Sequence, residues 1–194
     1  QNSMWNESIG LINEFKSRFP RHKRTEDVTK KLSIAYLNSD QKEKAAQEFE
    51  LIAQFEGNLE VKMAALWQAA ELYESKNDLQ GAIRTYRDYA HTYKKPYEQN
   101  MEAMFKLVEL YGKTKENQKR YFWQNKIVRA DQKATKRDKT ERTTYIASST
   151  TLNLARDKKQ EFSKRKLVEP LAKNLKLKKS AMQESVKLFG IASS

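Results

Sequence analysis

The side chains that could do covalent or metal chemistry are few in this sequence. Histidine occurs twice, at His22 in the basic run Arg21-His22-Lys23-Arg24 and at His91 near the end of a helical pattern, and cysteine is absent. Zinc needs ligands at short, defined spacings, and a side-chain nucleophile needs a base beside it, so neither metal ligation nor histidine-based acid catalysis is expected. No glycine-rich stretch resembles a phosphate cradle. Carboxylate pairs such as Glu71 and Glu74 occur, but with 32% charged residues they read as solvated helix faces. The expectation is a protein that is not an enzyme and takes no cofactor and no metal.

What remains is binding chemistry, of two kinds. Trp67, Glu71 and Glu74 share one helix face by their four- and three-residue spacing, as do Glu102, Phe105 and Glu109. An aromatic anchor flanked by carboxylates suits an extended peptide or helix with apolar and basic side chains. The competing reading is that Trp67 and Phe105 pack against neighbouring helices. The second kind is basic. Lys119-Arg120-Tyr121-Phe122-Trp123, the cluster containing Lys133, Lys136, Arg137 and Arg142, and the later Lys158, Lys159, Lys164, Arg165 and Lys166 place cations near some aromatics. Such surfaces face nucleic acid, anionic lipid or an acidic partner, or they only keep helix faces soluble. No nucleic-acid motif accompanies them.

The charge is unevenly spread. Up to Gly112 there are 16 Lys and Arg against 17 Asp and Glu, whereas from Lys113 onward there are 22 against 8, so the net +13 lies almost wholly in the last part of the chain. Five Gly and three Pro in 194 residues, with abundant helix formers, predict an all-α fold with few long loops. No apolar run approaches the roughly 18 to 20 residues that span a bilayer. The absence of Cys leaves the redox compartment open. The chain opens on Gln1, which leaves room for a preceding segment carrying a signal peptide or lipid anchor.

About nine helices are needed to position these residues. The first, capped by Ser3, carries Trp5, Ile9, Ile12 and Phe19 and is stopped by Pro20. The second runs from about Glu26 to Leu37. Asp40, with Glu43 three positions on, is expected to cap a third that carries Ala45, Phe49, Ile52 and Phe55 and ends near Gly57. Val61 to Tyr93 reads as a helical hairpin turning at Lys76-Asn77-Asp78, with Asp78 as cap and the small Ala82 letting its second helix close on the first. A helix bearing Met101 to Tyr111 follows, with a partner from about Glu116 that ends near Asp131 to Lys136. Helices over about Asp138 to Glu161 and Pro170 to Ala192 complete the chain. The Thr- and Ser-rich stretch of the former requires tertiary support. On the latter, Leu171, Leu175, Met182, Val186 and Phe189 trace one face.

The helical pattern repeats. Tyr36, Tyr73 and Tyr111 are 37 and 38 residues apart; Leu32, Ala69 and Leu107 precede them by four, and Ala45 and Ala82 follow the first two by nine. In the third unit Arg120 stands at the small-residue position, so the repeat there is expected to be shifted by one residue or bent.

The order Leu66, Ala69, Ala70, Tyr73, Ala82, Tyr86 resembles the tetratricopeptide repeat, whose nominal length of 34 residues these units exceed. The segment Phe15 to Pro20 is similar to the end of a second repeat helix with its closing proline, so the chain is expected to begin inside a repeat and to be part of a longer protein. The resemblance covers about Ser3 to Tyr121. It is nearest to bacterial cell-envelope examples, of the kind associated with outer-membrane assembly or the Tol-Pal system, and implies a periplasmic or envelope location, with the cytoplasm left open. It implies a right-handed superhelix of antiparallel hairpins, with repeats over residues 1–121 and a basic extension or divergent repeats over 122–194. The positions that line the family's groove fall at Asp27, Lys30 and Ile34, at Trp67, Glu71 and Glu74, and at Glu102, Phe105 and Glu109. The function implied is a non-catalytic scaffold that holds a protein or peptide partner in that groove. The alternative is an electrostatic adaptor that docks on an anionic surface or nucleic acid through the basic C-terminal part.

Overall fold

A computed structural model describes residues 2–192, with side chains from Met4 onward. The fold is all-α: among the described residues there are nine helices and no strand. They form two compact units, Gln1–Tyr93 and Lys94–Ser194. The expected boundary between repeats and basic extension, at residue 121, falls within a helix of the second unit.

The first unit holds α1 (Asn2–Arg18), α2 (Thr25–Asn38), α3 (Lys42–Phe55), α4 (Leu59–Ser75) and α5 (Leu79–Thr92), each packed on the next in sequence. Leu32, Ala35, Tyr36 and Ala45 are buried together with Ile9, and Trp5, Ile12, Leu37 and Leu72 close around them. Ala45 and Ala82 are wholly buried, as their small size at a helix contact requires. The second unit holds α6 (Tyr97–Lys113), α7 (Asn117–Lys133), α8 (Glu141–Lys164) and α9 (Leu171–Ala192). Its interior includes Met101, Leu107, Leu110, Ile127, Ile146 and Leu154.

One turn recurs and sets the repeat. Asp40, Asn77 and Lys115, each four residues after a repeat tyrosine, adopt positive φ of 59°, 58° and 60°. The amide that follows each donates to that tyrosine's carbonyl: Gln41 to Tyr36 at 2.8 Å, Asp78 to Tyr73 at 2.9 Å and Glu116 to Tyr111 at 3.0 Å. A left-handed residue there turns the chain back and satisfies a carbonyl at the helix end. Asp40 is therefore a turn residue. It does not cap α3, whose first residue follows Gln41 without a side-chain cap. Asp78 does cap α5, its Oδ1 accepting from the Gly81 amide at 2.9 Å. Asn58 caps α4 by accepting from the amides of Glu60 and Val61. The first helix already includes Asn2, and the side chain of Ser3 lies outside those described.

Three further expectations are revised. The repeat does not slip at Arg120, because the turn at Lys115 has the same geometry as the others; Arg120 reaches out of its position to Asp157 of α8 at 2.9 Å. The penultimate helix starts at Glu141, capped reciprocally by Thr140 and Thr143, while Asp138 lies outside it and takes Lys95 and Thr135. On α9 the expected five-residue stripe divides: Leu171, Leu175, Met182 and Val186 are exposed, whereas Phe189 is half-buried against the Leu154, Ala155 and Leu188 cluster, and the face that packs is Ala181, Ser185 and Leu188. The Thr-rich part of α8 is held by packing as expected: Thr143, Thr150 and Thr151 are buried, and the Thr151 hydroxyl donates to the Ala147 carbonyl at 2.7 Å.

Candidate partner-binding site

In the first unit the repeat tyrosines Tyr36 and Tyr73 tie their helices to a preceding one. The amide of Asn13 on α1 donates to the Tyr36 hydroxyl at 3.2 Å, and the Tyr73 hydroxyl donates to Glu50 of α3 at 3.0 Å. The two pairs have the same sequence separation of 23 residues. Glu50 also accepts from Arg84 at 2.8 and 3.0 Å and from the Thr85 hydroxyl at 3.1 Å, so one carboxylate joins α3, α4 and α5. Burial and the Glu50 charge push the Tyr73 phenol up to about 12. This network makes the face of the first unit a fixed platform.

Of the groove positions on α4, Trp67 is half-buried. Its indole N–H donates to Glu71 at 2.8 Å and its ring meets Tyr86 and Tyr89 edge-on at 5.2 and 5.3 Å. Trp67 and Glu71 are thus engaged with each other and with α5 of their own hairpin. Glu74 is half-buried, with the Tyr86 hydroxyl 3.4 Å away. On α6, Glu102 receives a two-pronged contact from Arg142 of α8, at 2.8 and 2.7 Å. The Arg142 guanidinium also lies over the rings of Phe105 and Tyr145, at 5.6 and 5.5 Å. That is the seat expected for a partner's basic side chain, filled by the chain itself. The hydrogen bond to Glu102, and after it the charges of Glu102 and of the exposed Glu109, raise Arg142 from its ordinary value against the effect of burial.

On α2, Asp27 and Ile34 are exposed, and Lys30 pairs with Glu56 just past the end of α3. The hydrogen bond between them raises Lys30 and lowers Glu56 from their ordinary values. Lys30 also borders an open cleft of about 430 Å³ between the α1–α2 linker, α2 and the C-terminal half of α3. Its apolar side is Pro20, Leu51, Ile52 and Phe55, with Phe55 63% exposed. Its polar side mixes signs: Lys16 and Lys30 are paired with Glu48 and Glu56, Glu26 adds a carboxylate, and Arg21 and Lys23, beside His22, form no ion pair among the described residues, which leaves the cleft with an excess of cations. His22 itself is used locally, accepting from the Arg24 amide at 3.2 Å with its ring against Phe15 and Phe19. The volume lies within the range of ligand pockets, ~300–1,000 Å³. The cleft escaped the sequence reading because its walls come from three helices. The signals were a basic run directly after Pro20 and an aromatic, Phe55, at the last position of a helix.

The basic residues divide. Arg142 is committed to Glu102. Lys158 bridges Glu161 at 3.4 Å and Glu184 at 3.1 Å; burial works to lower its pKa, but these carboxylates prevail and raise it. Arg165 pairs with Glu161 at 3.1 Å. Lys133, Lys136, Arg137, Lys159, Lys164 and Lys166 are exposed and form no ion pair among the described residues.

Comparison of the chain with protein-family models, with curated proteins and with solved structures finds no match.

Proposed function

We propose that this protein is a non-catalytic scaffold of tetratricopeptide-like hairpins that binds a protein partner by shape and side-chain complementarity. The observation that carries the reading is the cleft on α2 and α3, lined by the apolar Leu51, Ile52 and Phe55 and by Arg21 and Lys23, which form no ion pair among the described residues. An extended segment that alternates Asp or Glu with Leu or Phe fits both walls. The Tyr73–Glu50–Arg84 network supports the reading, since a platform ordered before binding loses less entropy on complex formation. The net charge of this cleft is opposite to that of the carboxylates at the expected groove positions, three of which, Glu71, Glu74 and Glu102, are already engaged inside the chain.

The test is selection of phage-displayed random peptides on the intact protein. Acidic-apolar sequences are expected to be enriched and to lose at least about tenfold in affinity for the Arg21→Glu, Phe55→Glu double variant, as removal of a central anchor does. Both positions are exposed, and circular dichroism checks that the variant stays helical. Enriched peptides that bind the variant as well as they bind the parent would refute the cleft as the site.

A further inference from the structure

The last helix carries an apolar surface that its own packing does not use. Leu171, Leu175, Met182 and Val186, spaced by four, seven and four residues, form a stripe that is 50, 53, 43 and 67% exposed. A different face holds α9 to α8: Ala181, Ser185 and Leu188 are buried, and the Ser185 hydroxyl donates to the Ala155 carbonyl at 3.2 Å. Lys178 anchors the same contact by donating to the Arg165 carbonyl at 3.0 Å and lying over the Phe162 ring. At 3.6 residues per turn, Lys179 borders the stripe on its solvent side, and Lys176 and Lys187 follow farther round the same exposed face, within reach of a surface the stripe enters through their long stems. All three are exposed and form no ion pair among the described residues. The only carboxylate of α9, Glu184, is held by Lys158.

From this arrangement we infer that α9 docks in the plane of an anionic phospholipid bilayer, its Leu171–Leu175–Met182–Val186 stripe entering the headgroup region and its lysines reaching the phosphates. The inference is independent of the α2–α3 cleft and gives a place and a ligand to the electrostatic alternative raised by the charge distribution. Lipid is favoured over the other anionic partners by side-chain type. The cations of α9 are all lysine, its one aromatic, Phe189, is half-buried, and it has no arginine. Protein interfaces are depleted in lysine and enriched in arginine and aromatics, and single-stranded nucleic acid is gripped by exposed aromatic stacking. An aliphatic stripe edged by lysines is the pattern of helices that lie at a bilayer surface, where long lysine stems let the charge stay in water. The stripe covers about 22 Å of helix at 1.5 Å per residue. No described helix is long and apolar enough to cross a membrane, so the contact is with one leaflet.

The chain has no cysteine, so a single introduced thiol is a unique labelling position. The full chain carrying Val186→Cys, or Ser180→Cys on the opposite exposed face, is labelled with an environment-sensitive dye and mixed with vesicles. The vesicles are phosphatidylcholine alone or phosphatidylcholine with phosphatidylglycerol. The expected result is co-sedimentation with the mixed vesicles only, and a blue shift at position 186 but not at 180. Replacing Lys176, Lys179 and Lys187 by Gln weakens partitioning roughly fivefold per lysine, on the order of a hundredfold together. Lys133→Gln, Lys136→Gln, Arg137→Gln, which removes the same charge elsewhere, has a much smaller effect. Four results overturn the inference. These are no binding to mixed vesicles, equal loss in both triple variants, binding without a blue shift at 186, or a blue shift without vesicles that grows with protein concentration. The last would make the stripe a contact between two copies of this chain.

Discussion

Gly81→Ala is expected to destabilise the first unit, although alanine is normally the better helix residue. Gly81 occupies the third position of α5, one turn past its cap. A Cβ there would run into Asp78 Oδ2 and lie 2.8 Å from Cγ and Cδ1 of Tyr73. Both neighbours are fixed: Asp78 caps the helix through the Gly81 amide, and the Tyr73 ring is buried with its hydroxyl on Glu50. Displacing the cap costs about 1 kcal/mol, and forcing the ring out of a packed site costs about 1–3 kcal/mol. The gain from replacing glycine in a helix is about 0.5–1 kcal/mol. The net is a loss of roughly 1–3 kcal/mol, or several degrees in melting temperature for a unit of about 100 residues. Of the three tryptophans, Trp67 packs on Tyr86 and Tyr89 within α4 and α5, so urea titrations by fluorescence in a Trp5→Phe, Trp123→Phe background report this region. The internal control is Gly10→Ala in α1, where nothing lies within 4 Å of the added carbon. There the same chemical change is expected to stabilise by about 0.5–1 kcal/mol. If Gly81→Ala proves as stable as the parent, the close approach of Tyr73 and Asp78 is not what selects glycine at this turn.

The Lys30–Glu56 pair gives a pH dependence. Lys30 holds the Glu56 carboxyl below its ordinary 4.5, so the pair's contribution is present above that value and lost as the pH falls through the lowered folded value. Lys30 is raised above 10.5, so on its side the contribution is present below that value and disappears as the pH rises through the raised folded value. Glu56→Gln should flatten both limbs of a stability–pH curve measured by urea melts, and an unchanged acid limb would show that the pair does not couple to folding. Arg142→Ala should cost no more than about 1 kcal/mol, because the pair with Glu102 is partly exposed and screened by solvent. The loss should shrink in high salt, and a salt-independent loss would place the effect in packing on Phe105 and Tyr145 instead.

The helices and their repeat were written in the local sequence, and the reason is periodicity. Burial of Leu32, Ala69 and Leu107 four residues before a tyrosine needs only a helix with one wet face. The sequence located one turn, at Lys76-Asn77-Asp78; the structure repeats its geometry four residues past Tyr36 and Tyr111, at Asp40 and Lys115, because chain reversal falls at the same distance past each buried ring. Asp40 shows the limit of local rules. Its type suits a cap, yet four residues past Tyr36 the turn needs a left-handed residue, and that geometry prevails.

What only the tertiary structure decided is which polar and apolar groups remain free. Glu102 and Phe105 had the spacing of a binding seat, but Arg142, 40 residues beyond Glu102, fills it once α8 packs on α6. Leu171, Leu175, Met182 and Val186 had the spacing of a buried face, but α9 turns its smaller Ala181 and Ser185 toward α8, because small side chains allow the closer helix approach. The cleft beside Arg21 exists only because Pro20, Lys30 and Phe55, on three successive segments, meet around one space. Sequence fixes the face a helix can bury; the fold selects the one that it does, because a contact depends on the shape of the partner surface and not on one helix alone.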